Sequence, residues 1–462
     1  MMISMKRILF VICTICVVTS CAPKLYDAHV DMPEDYVGLA PFAEGAVMAD
    51  SCWWRLFGDE RLDTLERTAL ANNRDLRVAA SRVVEAYLSL RNVKSSFLPQ
   101  IGIQADASGS YNTPEGTTQE YTLQSSASWQ VSLFGTWRHT RRAGEAEFLS
   151  SDWEAYGVEL SLTAEVATAY FTLSGYARQL DIAERTYSLR SESMMLIDSM
   201  YRYGFSSLID LQRARSLVAQ AEADIPKYRK AVTGARYSLA VLLGLTPDDI
   251  DCIAACDSLS VDRLPVSVPV GLPSDLLRCR PDIRKAEYDM RAAEAKVGIA
   301  RSARFPSVAL TGAGGLFGSS IKSFTDFDSW TWSAAGRLTA PLFAFGKLRR
   351  NQRIACEQYM QAAYTYENTI FQALCDVETV LDAIEESGEQ IECYAQMVEA
   401  NGIASSLTRE LYKAGMSAYL DVIDAERELY ASQLGYIELV VGQYVNYVDL
   451  IKSLGIGWRA EK

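Results

Sequence analysis

The sequence predicts a mainly helical chain with a β-barrel part, built from two tandem structural repeats. Three observations predict this class. Several motifs recur at an offset of slightly more than 200 residues, short segments alternate apolar and polar residues, and each repeat contains a proline-free stretch of roughly 65 residues. Each repeat is therefore expected to contain a helical segment, two strands and two long helices.

Residues 1–20 are predicted to be an export signal. Lys6 and Arg7 precede an apolar run that is too short to cross a bilayer as a mature helix. The run ends in Val-Thr-Ser-Cys, which resembles the lipobox of bacterial lipoproteins, so Cys21 is the predicted lipidation site. Residues 21–56, with scattered prolines and no sustained apolar period, are predicted to form a lipidated N-terminal tether.

Charge and cysteine content exclude several classes of partner. The formal net charge is −13, and loss of Lys6 and Arg7 with the signal makes it −15, which argues against both a nucleic-acid and an anionic-lipid footprint. The mature cysteines are odd in number and scattered, which is not a disulfide framework. Cys252 and Cys256 are the one close pair, and a disulfide, a metal site and small buried thiols all stay open for them.

The repeat is visible in matched landmarks. Asn73–Ala79 recurs as Arg280–Ala286 at an offset of 207. Tyr201–Gly204 recurs as Tyr412–Gly415 at an offset of 211, which implies a four-residue insertion between these landmarks. The predicted bounds are 57–245 for repeat 1, 246–273 for a proline-rich linker and 274–457 for repeat 2.

The alternating segments predict membrane-facing strands. One face is apolar, often aromatic, and the other is small and polar, as the strands of an outer-membrane barrel require. A soluble β-sandwich with one wet face is the alternative. Four strands cannot close a barrel in lipid, so several chains must share one. The strands are predicted at about 101–112, 121–134, 306–317 and 330–342.

The proline-free stretches predict unusually long helices. At about 1.5 Å per residue, the longest in each repeat would reach on the order of 100 Å, and such helices must pack side by side as coiled coils or as the wall of a tube. Gly204 and Gly415 are predicted to end the first long helix of each pair. The four long helices are predicted at about 138–203, 207–244, 346–413 and 419–454.

Catalytic chemistry is not supported, and no cofactor or metal is expected. The two histidines, His29 and His139, have neither a nucleophile nor metal ligands nearby in the sequence. The glycines of Gly312–Gly315 fall within a predicted strand, where small residues favour close packing rather than phosphate binding. The sequence therefore indicates a protein that is not an enzyme.

The sequence resembles the TolC-like outer-membrane factors, specifically the NodT-type efflux lipoproteins, from Cys21 to about Trp458. The motifs that carry the resemblance are Trp53-Trp54 with Phe57 and Asp59, Arg280-Pro281-Asp282-Ile283, Phe305-Pro306, Pro341-Leu342-Phe343 with Gly346, and Tyr419–Ala425. The resemblance implies a homotrimer in the outer membrane, whose four strands per chain form a 12-stranded barrel on a long periplasmic α-helical barrel. It also implies a periplasmic adaptor (membrane fusion) protein and an inner-membrane resistance-nodulation-division pump as partners.

The resemblance also assigns candidate residues. Asp421 and Asp424 match aspartates that ring the periplasmic aperture in relatives; the alternative is an exposed helix start, where acids favour the helix dipole. Asp210 is the repeat equivalent of Asp421, Tyr412 matches a tyrosine that helps to hold the tip shut, and Ser417 stands where some relatives carry an arginine. The tips expected to dock the adaptor or pump comprise Gly204, Phe205, Gly415 and Met416.

The implied function is a passive exit duct for drugs or other small molecules in a tripartite efflux pump. Two alternatives remain at this level: the outer-membrane duct of a type I protein secretion system, and a lipid-anchored helical scaffold without a pore.

Overall fold

The computed structural model describes residues 25–33, 52–113, 116–246, 249, 273–320, 322 and 329–456. The predicted signal, Cys21 and the pair Cys252 and Cys256 lie outside these residues, as does most of the predicted linker. Among the described helices, none has an apolar stretch long enough to span a membrane.

Eight α-helices and four strands are described, and the two halves repeat the same order. The helices are α1 (Glu60–Asn72), α2 (Arg74–Ser95), α3 (Thr136–Arg202), α4 (Leu208–Leu243), α5 (Leu276–Cys279), α6 (Pro281–Ser302), α7 (Lys347–Lys413) and α8 (Tyr419–Leu454). The strands are β1 (Gln100–Asn112), β2 (Gly116–Val131), β3 (Ser307–Gly318) and β4 (Trp330–Thr339).

The strands form one antiparallel sheet in the order β1-β2-β3-β4. The register places apolar residues of neighbouring strands opposite one another, so that one face of the sheet is mostly apolar where all four strands pair. Cross-strand rows on this face are Ile101–Ala127–Gly312–Ala334, Trp129–Leu310–Gly336 and Val131–Val308–Leu338. The other face carries rows of small and polar residues such as Ser126–Ala313–Ser333, which confirms the predicted alternation.

Two strands differ in length from the prediction. β2 begins at Gly116 rather than at about 121, because residues 116–120 pair with the end of β1 in the hairpin. These residues have no alternating apolar pattern, so the sequence did not indicate that they belong to the strand. It ends at Val131, opposite Val308 near the start of β3, and the Ser132 hydroxyl then accepts a hydrogen bond of 3.0 Å from the Trp137 N–H at the start of α3. β4 ends at Thr339, before Pro341, which has no N–H to continue the ladder.

One compact unit contains the sheet and the helix ends next to it, from residues 25–30, Leu90–Ala146 and Glu287–Asn368. Phe134 and Phe305 stack with ring centroids 5.0 Å apart where β2 ends and β3 begins. Gly315 is required by close packing, since a Cβ there would collide with the carbonyl oxygen of Leu123 on β2.

The second compact unit contains the described parts of residues 31–89, 147–286 and 369–462. The aromatic residues of the motif at Trp53 are part of the core of this unit. The Trp53 indole N–H donates to Thr163 Oγ1 over 3.3 Å. Phe57 packs on Phe171 with ring centroids 5.1 Å apart. Asp59 caps α1 and accepts a 2.7 Å hydrogen bond from the Tyr170 hydroxyl. A buried set of aliphatic side chains extends this core: Leu162, Val166, Leu173, Leu239 and Leu243.

In each repeat of this unit, a polar side chain just before a helix donates a hydrogen bond to a carbonyl near the end of the last long helix. Asn73 Nδ2 donates to the Leu242 carbonyl over 2.8 Å, and its equivalent Arg280 donates from Nη1 to the Ser453 carbonyl over 3.1 Å. Arg280 also binds Asp282 and Asp376, so a buried guanidinium replaces an amide in the second copy. A polar donor at the same step of each repeat therefore binds a carbonyl near the end of the last long helix, although the residue differs between the copies.

Candidate functional site at the two helix hairpins

The first hairpin joins α3 to α4 through a glycine-centred turn. Gly204 has φ of 79°, a left-handed conformation that favours glycine. The Phe205 N–H donates to the Met200 carbonyl over 2.8 Å, and the Gly204 N–H donates to the Tyr201 carbonyl over 3.0 Å. These bonds satisfy the last carbonyls of α3, so the chain can reverse at once into α4.

The second hairpin, between α7 and α8, has the same turn geometry. Gly415 has φ of 74°, and the Met416 N–H donates to the Leu411 carbonyl over 2.8 Å. The predicted turn at each glycine is therefore present, and the tip residues Phe205 and Met416 are 79% and 72% exposed.

The helices that follow the turns are capped differently. At α4 the Ser207 hydroxyl accepts from the Asp210 N–H over 3.0 Å and donates to the Asp210 carboxylate over 2.6 Å. Ala418 occupies the equivalent cap position at α8 and has no oxygen to offer. The Asp421 carboxylate instead accepts from the Ala418 N–H over 3.1 Å and from the Ser417 hydroxyl over 2.8 Å.

The aperture candidates thus divide into two kinds. Asp421 and Asp210 are engaged at helix starts, and Arg213 Nη1 lies 3.9 Å from an Asp210 oxygen. Asp424, one turn along α8 from Asp421, is exposed and has neither a hydrogen bond nor an ion pair with any residue that the structure describes. Among these three carboxylates, that of Asp424 is the one without a partner in the described part of the chain.

An apolar cluster joins the two hairpins behind the tips. It combines side chains of α3 and α4 with the first turns of α8, and Tyr412 packs on its edge with its ring centroid 5.4 Å from that of Tyr419. Burial raises the pKa of the Tyr419 phenol. The buried members are Ile197, Leu211, Ala214, Leu217, Tyr419, Val422 and Ile423.

A charged layer lies next to this cluster along the helices. The buried Glu426 carboxylate accepts a 3.1 Å bond from Arg409 on α7. Arg190 on α3 donates from Nη1 to the Leu217 carbonyl over 3.4 Å and sits over the ring of Tyr430, whose hydroxyl donates to Asp224. Burial lowers the pKa of the Arg190 guanidinium. This layer therefore ties α3, α4, α7 and α8 together by polar contacts.

The sequence reasoning did not identify this layer, although one signal for it exists. Glu426 continues the helical spacing of the buried residues Tyr419, Val422 and Ile423, so it stands where an apolar residue is expected. A carboxylate at such a position must find a partner on a neighbouring helix. In the described part of the chain, no group of three or more His, Cys, Asp and Glu side chains is arranged to hold a metal ion.

The sequence model of the outer membrane efflux protein family matches residues 65–245 and 272–456, one segment in each repeat. CusC of Escherichia coli O6:H1 (strain CFT073), named a cation efflux system protein, is 31% identical over 410 residues, which cover 88% of each chain. SilC of Salmonella typhimurium, named a probable outer membrane lipoprotein, is 29% identical over 412 residues and 88% of each chain.

Solved structures show the same fold. The outer-membrane channel OprN superposes with a TM-score of 0.86 at 26% identity, covering 95% of this chain and 99% of the OprN chain. The predicted fold class, mainly helical with a four-stranded sheet and two tandem repeats, is the fold of such channels and is confirmed.

Proposed function

Because the chain belongs to the outer membrane efflux protein family, and is therefore an outer-membrane efflux channel component and not an enzyme, we propose that three copies form a passive exit duct for small molecules. In this proposal a periplasmic adaptor and an inner-membrane resistance-nodulation-division pump deliver the cargo. The pump selects the substrate, and the duct lets it pass the outer membrane.

The sheet is the observation that carries the proposal. One face is apolar across all four strands, as a surface against lipid requires. Within the described residues β1 pairs with β2 alone and β4 with β3 alone, so both edges keep unpaired N–H and C=O groups. In lipid these edges need partners, and β1 of one copy can pair with β4 of the next until three copies close a 12-stranded barrel.

The aperture is assigned to the α8 start of each copy. Three Asp424 carboxylates around one axis would favour cations in the resting passage, since rings of acids select cations. The support is that Asp424 is exposed and unpaired, while Asp421 and Asp210 contribute mainly by fixing the helix starts and Tyr412 by packing on Tyr419.

A planar-bilayer recording tests this assignment. Asp424→Asn should reduce cation selectivity and weaken blockage by multivalent cations. Glu428→Gln, which neutralises another exposed acid one turn further along α8, is the matched control and should leave both unchanged. Equal selectivity in Asp424→Asn and the parent channel would count against the ring.

The tips are assigned to partner docking. Phe205 and Met416 project apolar side chains from glycine turns, and the neighbouring Tyr203 and Ile209 are exposed as well. Exposed apolar groups at the turn between long helices suit a helical partner that covers them. Phe205→Ser with Met416→Ser should abolish co-purification of adaptor and pump without changing conductance. Retention of both partners would contradict this role.

Membrane attachment through Cys21 completes the proposal. The chain next to it is held on the sheet-containing unit: the Tyr26 hydroxyl donates to Glu367 over 2.8 Å, and its carbonyl accepts from the Tyr359 hydroxyl over 2.7 Å. Cys21→Ser should abolish incorporation of labelled palmitate. Labelling equal to that of the parent would place the lipid elsewhere.

A further inference from the structure

The long helices α3 and α7 follow strands that end at the same rim of the sheet. Strands β2 and β4 run in the same direction, because each is antiparallel to β3. Val131 at the end of β2 pairs with Val308, and Thr339 at the end of β4 pairs with Ser307. The first residues of α3 and α7 therefore follow the same rim of the sheet.

Both helix starts are strongly basic, in a chain whose net charge is −13. α3 carries Arg138, Arg141 and Arg142 in its first two turns, and neither helix has an acid in its first turn. Bases at a helix N-terminus oppose the helix dipole, so helix stability does not explain them. The corresponding residues of α7 are Lys347, Arg349, Arg350 and Arg353.

These basic side chains are exposed and largely unpaired. Arg141 binds Glu145 over 2.7 Å. The other six make no ion pair with any residue that the structure describes. Six unpaired cations along one rim create a local positive potential that a negatively charged partner can neutralise.

Exposed apolar side chains lie between the strands and the basic turns. Leu342 is 95% exposed, and Phe343 and Phe345 are exposed with ring centroids 4.6 Å apart. Trp137 is exposed at the corresponding place on α3. Phe345 has φ of 46°, a left-handed conformation that is unfavourable for a bulky residue. The chain therefore has an aromatic side chain at a position where the backbone is strained. Aromatic residues beside a transmembrane segment are typical of the membrane–water interface.

The N-terminal segment reaches the same region. Leu25 packs on Val297 and Tyr359, and Tyr359 lies nine residues after Arg350 on α7, about 14 Å along the helix. Cys21 is four residues before Leu25, so an extended chain allows its lipid to lie within about 14 Å of Leu25. The expected acyl chain and the basic turns can therefore meet the same leaflet.

We propose that the starts of α3 and α7 form a basic collar that binds the phosphate groups of anionic phospholipids in the periplasmic leaflet of the outer membrane. The proposal rests on the sheet crossing the membrane, as proposed above. Guanidinium groups bind phosphate oxygens through paired hydrogen bonds, and the aromatic side chains above them lie at the level of the headgroups. The collar fixes the depth of the sheet in the bilayer.

Phosphatidylglycerol binding to the purified, full-length trimer tests the collar by native mass spectrometry, with phosphatidylcholine as the neutral lipid. Each basic residue near a membrane surface contributes roughly fivefold in affinity for anionic lipid, so Arg350→Gln with Arg353→Gln should weaken phosphatidylglycerol binding about 25-fold. Phosphatidylcholine binding should not change. The matched control, Arg215→Gln with Arg229→Gln, removes two exposed arginines of α4 and should bind both lipids as the parent does.

Three outcomes would overturn the collar: equal phosphatidylglycerol affinity in the α7 double variant and the parent, no preference of the parent for phosphatidylglycerol, or an equal loss in the α4 control. A changed ion selectivity of the α7 variant with unchanged lipid binding would place these arginines in the passage, which also contradicts the proposal. A parent that is monomeric would instead contradict the proposed channel, so the two failures are distinguishable.

Discussion

Truncation of Ile423 tests whether the apolar cluster behind the tips holds the two hairpins together. Ile423 lies in the second turn of α8 and is only 2% exposed, because it packs in a cluster with side chains of α3 and α4. Ile423→Ala removes three buried carbon atoms, and such a change costs about 3 kcal/mol. If separation of the hairpins breaks these contacts, the equilibrium between joined and separated hairpins should shift by up to about 100-fold, at 1.4 kcal/mol for each factor of ten.

Single-channel recording in planar bilayers measures this shift. Ile423→Ala should increase the open probability or the conductance of the resting channel. Leu239→Ala is the matched control, because Leu239 is fully buried in the cluster of α4 with α1 and α3 and not at the tips. The control should lower the melting temperature to a similar extent and leave conductance unchanged.

Two results would refute the reasoning. A folded Ile423→Ala channel with the parent's conductance would show that the cluster does not hold the passage shut. An equal rise in conductance for Leu239→Ala would show that general destabilisation, and not loss of a contact between the hairpins, opens the channel.

Other predictions concern stability and the sheet. Arg280→Ala removes the buried guanidinium that binds the Ser453 carbonyl and one oxygen of Asp376, and it should cost about 3 kcal/mol. Its repeat equivalent Asn73→Ala removes one amide hydrogen bond and should cost about 1 kcal/mol; equal urea midpoints for the two variants would contradict this. Burial raises the pKa of the Glu66 carboxyl well above its ordinary value, so the folded state binds the proton more tightly and stability falls as pH rises above about 4.3. Glu66→Gln should therefore raise the melting temperature at pH 7.5 and have little effect at pH 4; the same gain at both values would exclude this cause. Gly315→Ala should reduce the yield of heat-resistant trimer on gels, while Gly312→Ala, which has room for a Cβ, should not; identical yields would contradict the close approach of β2 and β3.

The periodic parts of the fold were predictable from the sequence. The face that each strand residue occupies follows from the alternation of apolar and polar residues, because a slip by one residue would move the apolar side chains of a strand to the other face. The turns at Gly204 and Gly415 follow from glycine, since few other residues adopt a positive φ. The start of β2 was not predictable, because residues 116–120 are held by the hairpin ladder rather than by an apolar pattern.

The candidate site was predictable only in part. The resemblance indicated Asp421 and Asp424 together, but their different surroundings depend on Ala418, whose missing hydroxyl leaves Asp421 to cap α8. The layer around Arg190 and Glu426 includes contacts between residues more than 200 positions apart, such as Tyr430 with Asp224 and Arg190 with the ring of Tyr430. Such a pairing has no local sequence signal beyond an acid at an apolar position.

The mass of the purified particle tests the central claim most directly, since four strands per chain cannot close a barrel alone. Native mass spectrometry of the full-length protein extracted from membranes in detergent should give a particle of three chains. A stable, folded monomer with a complete sheet would contradict the shared barrel and with it the proposed duct.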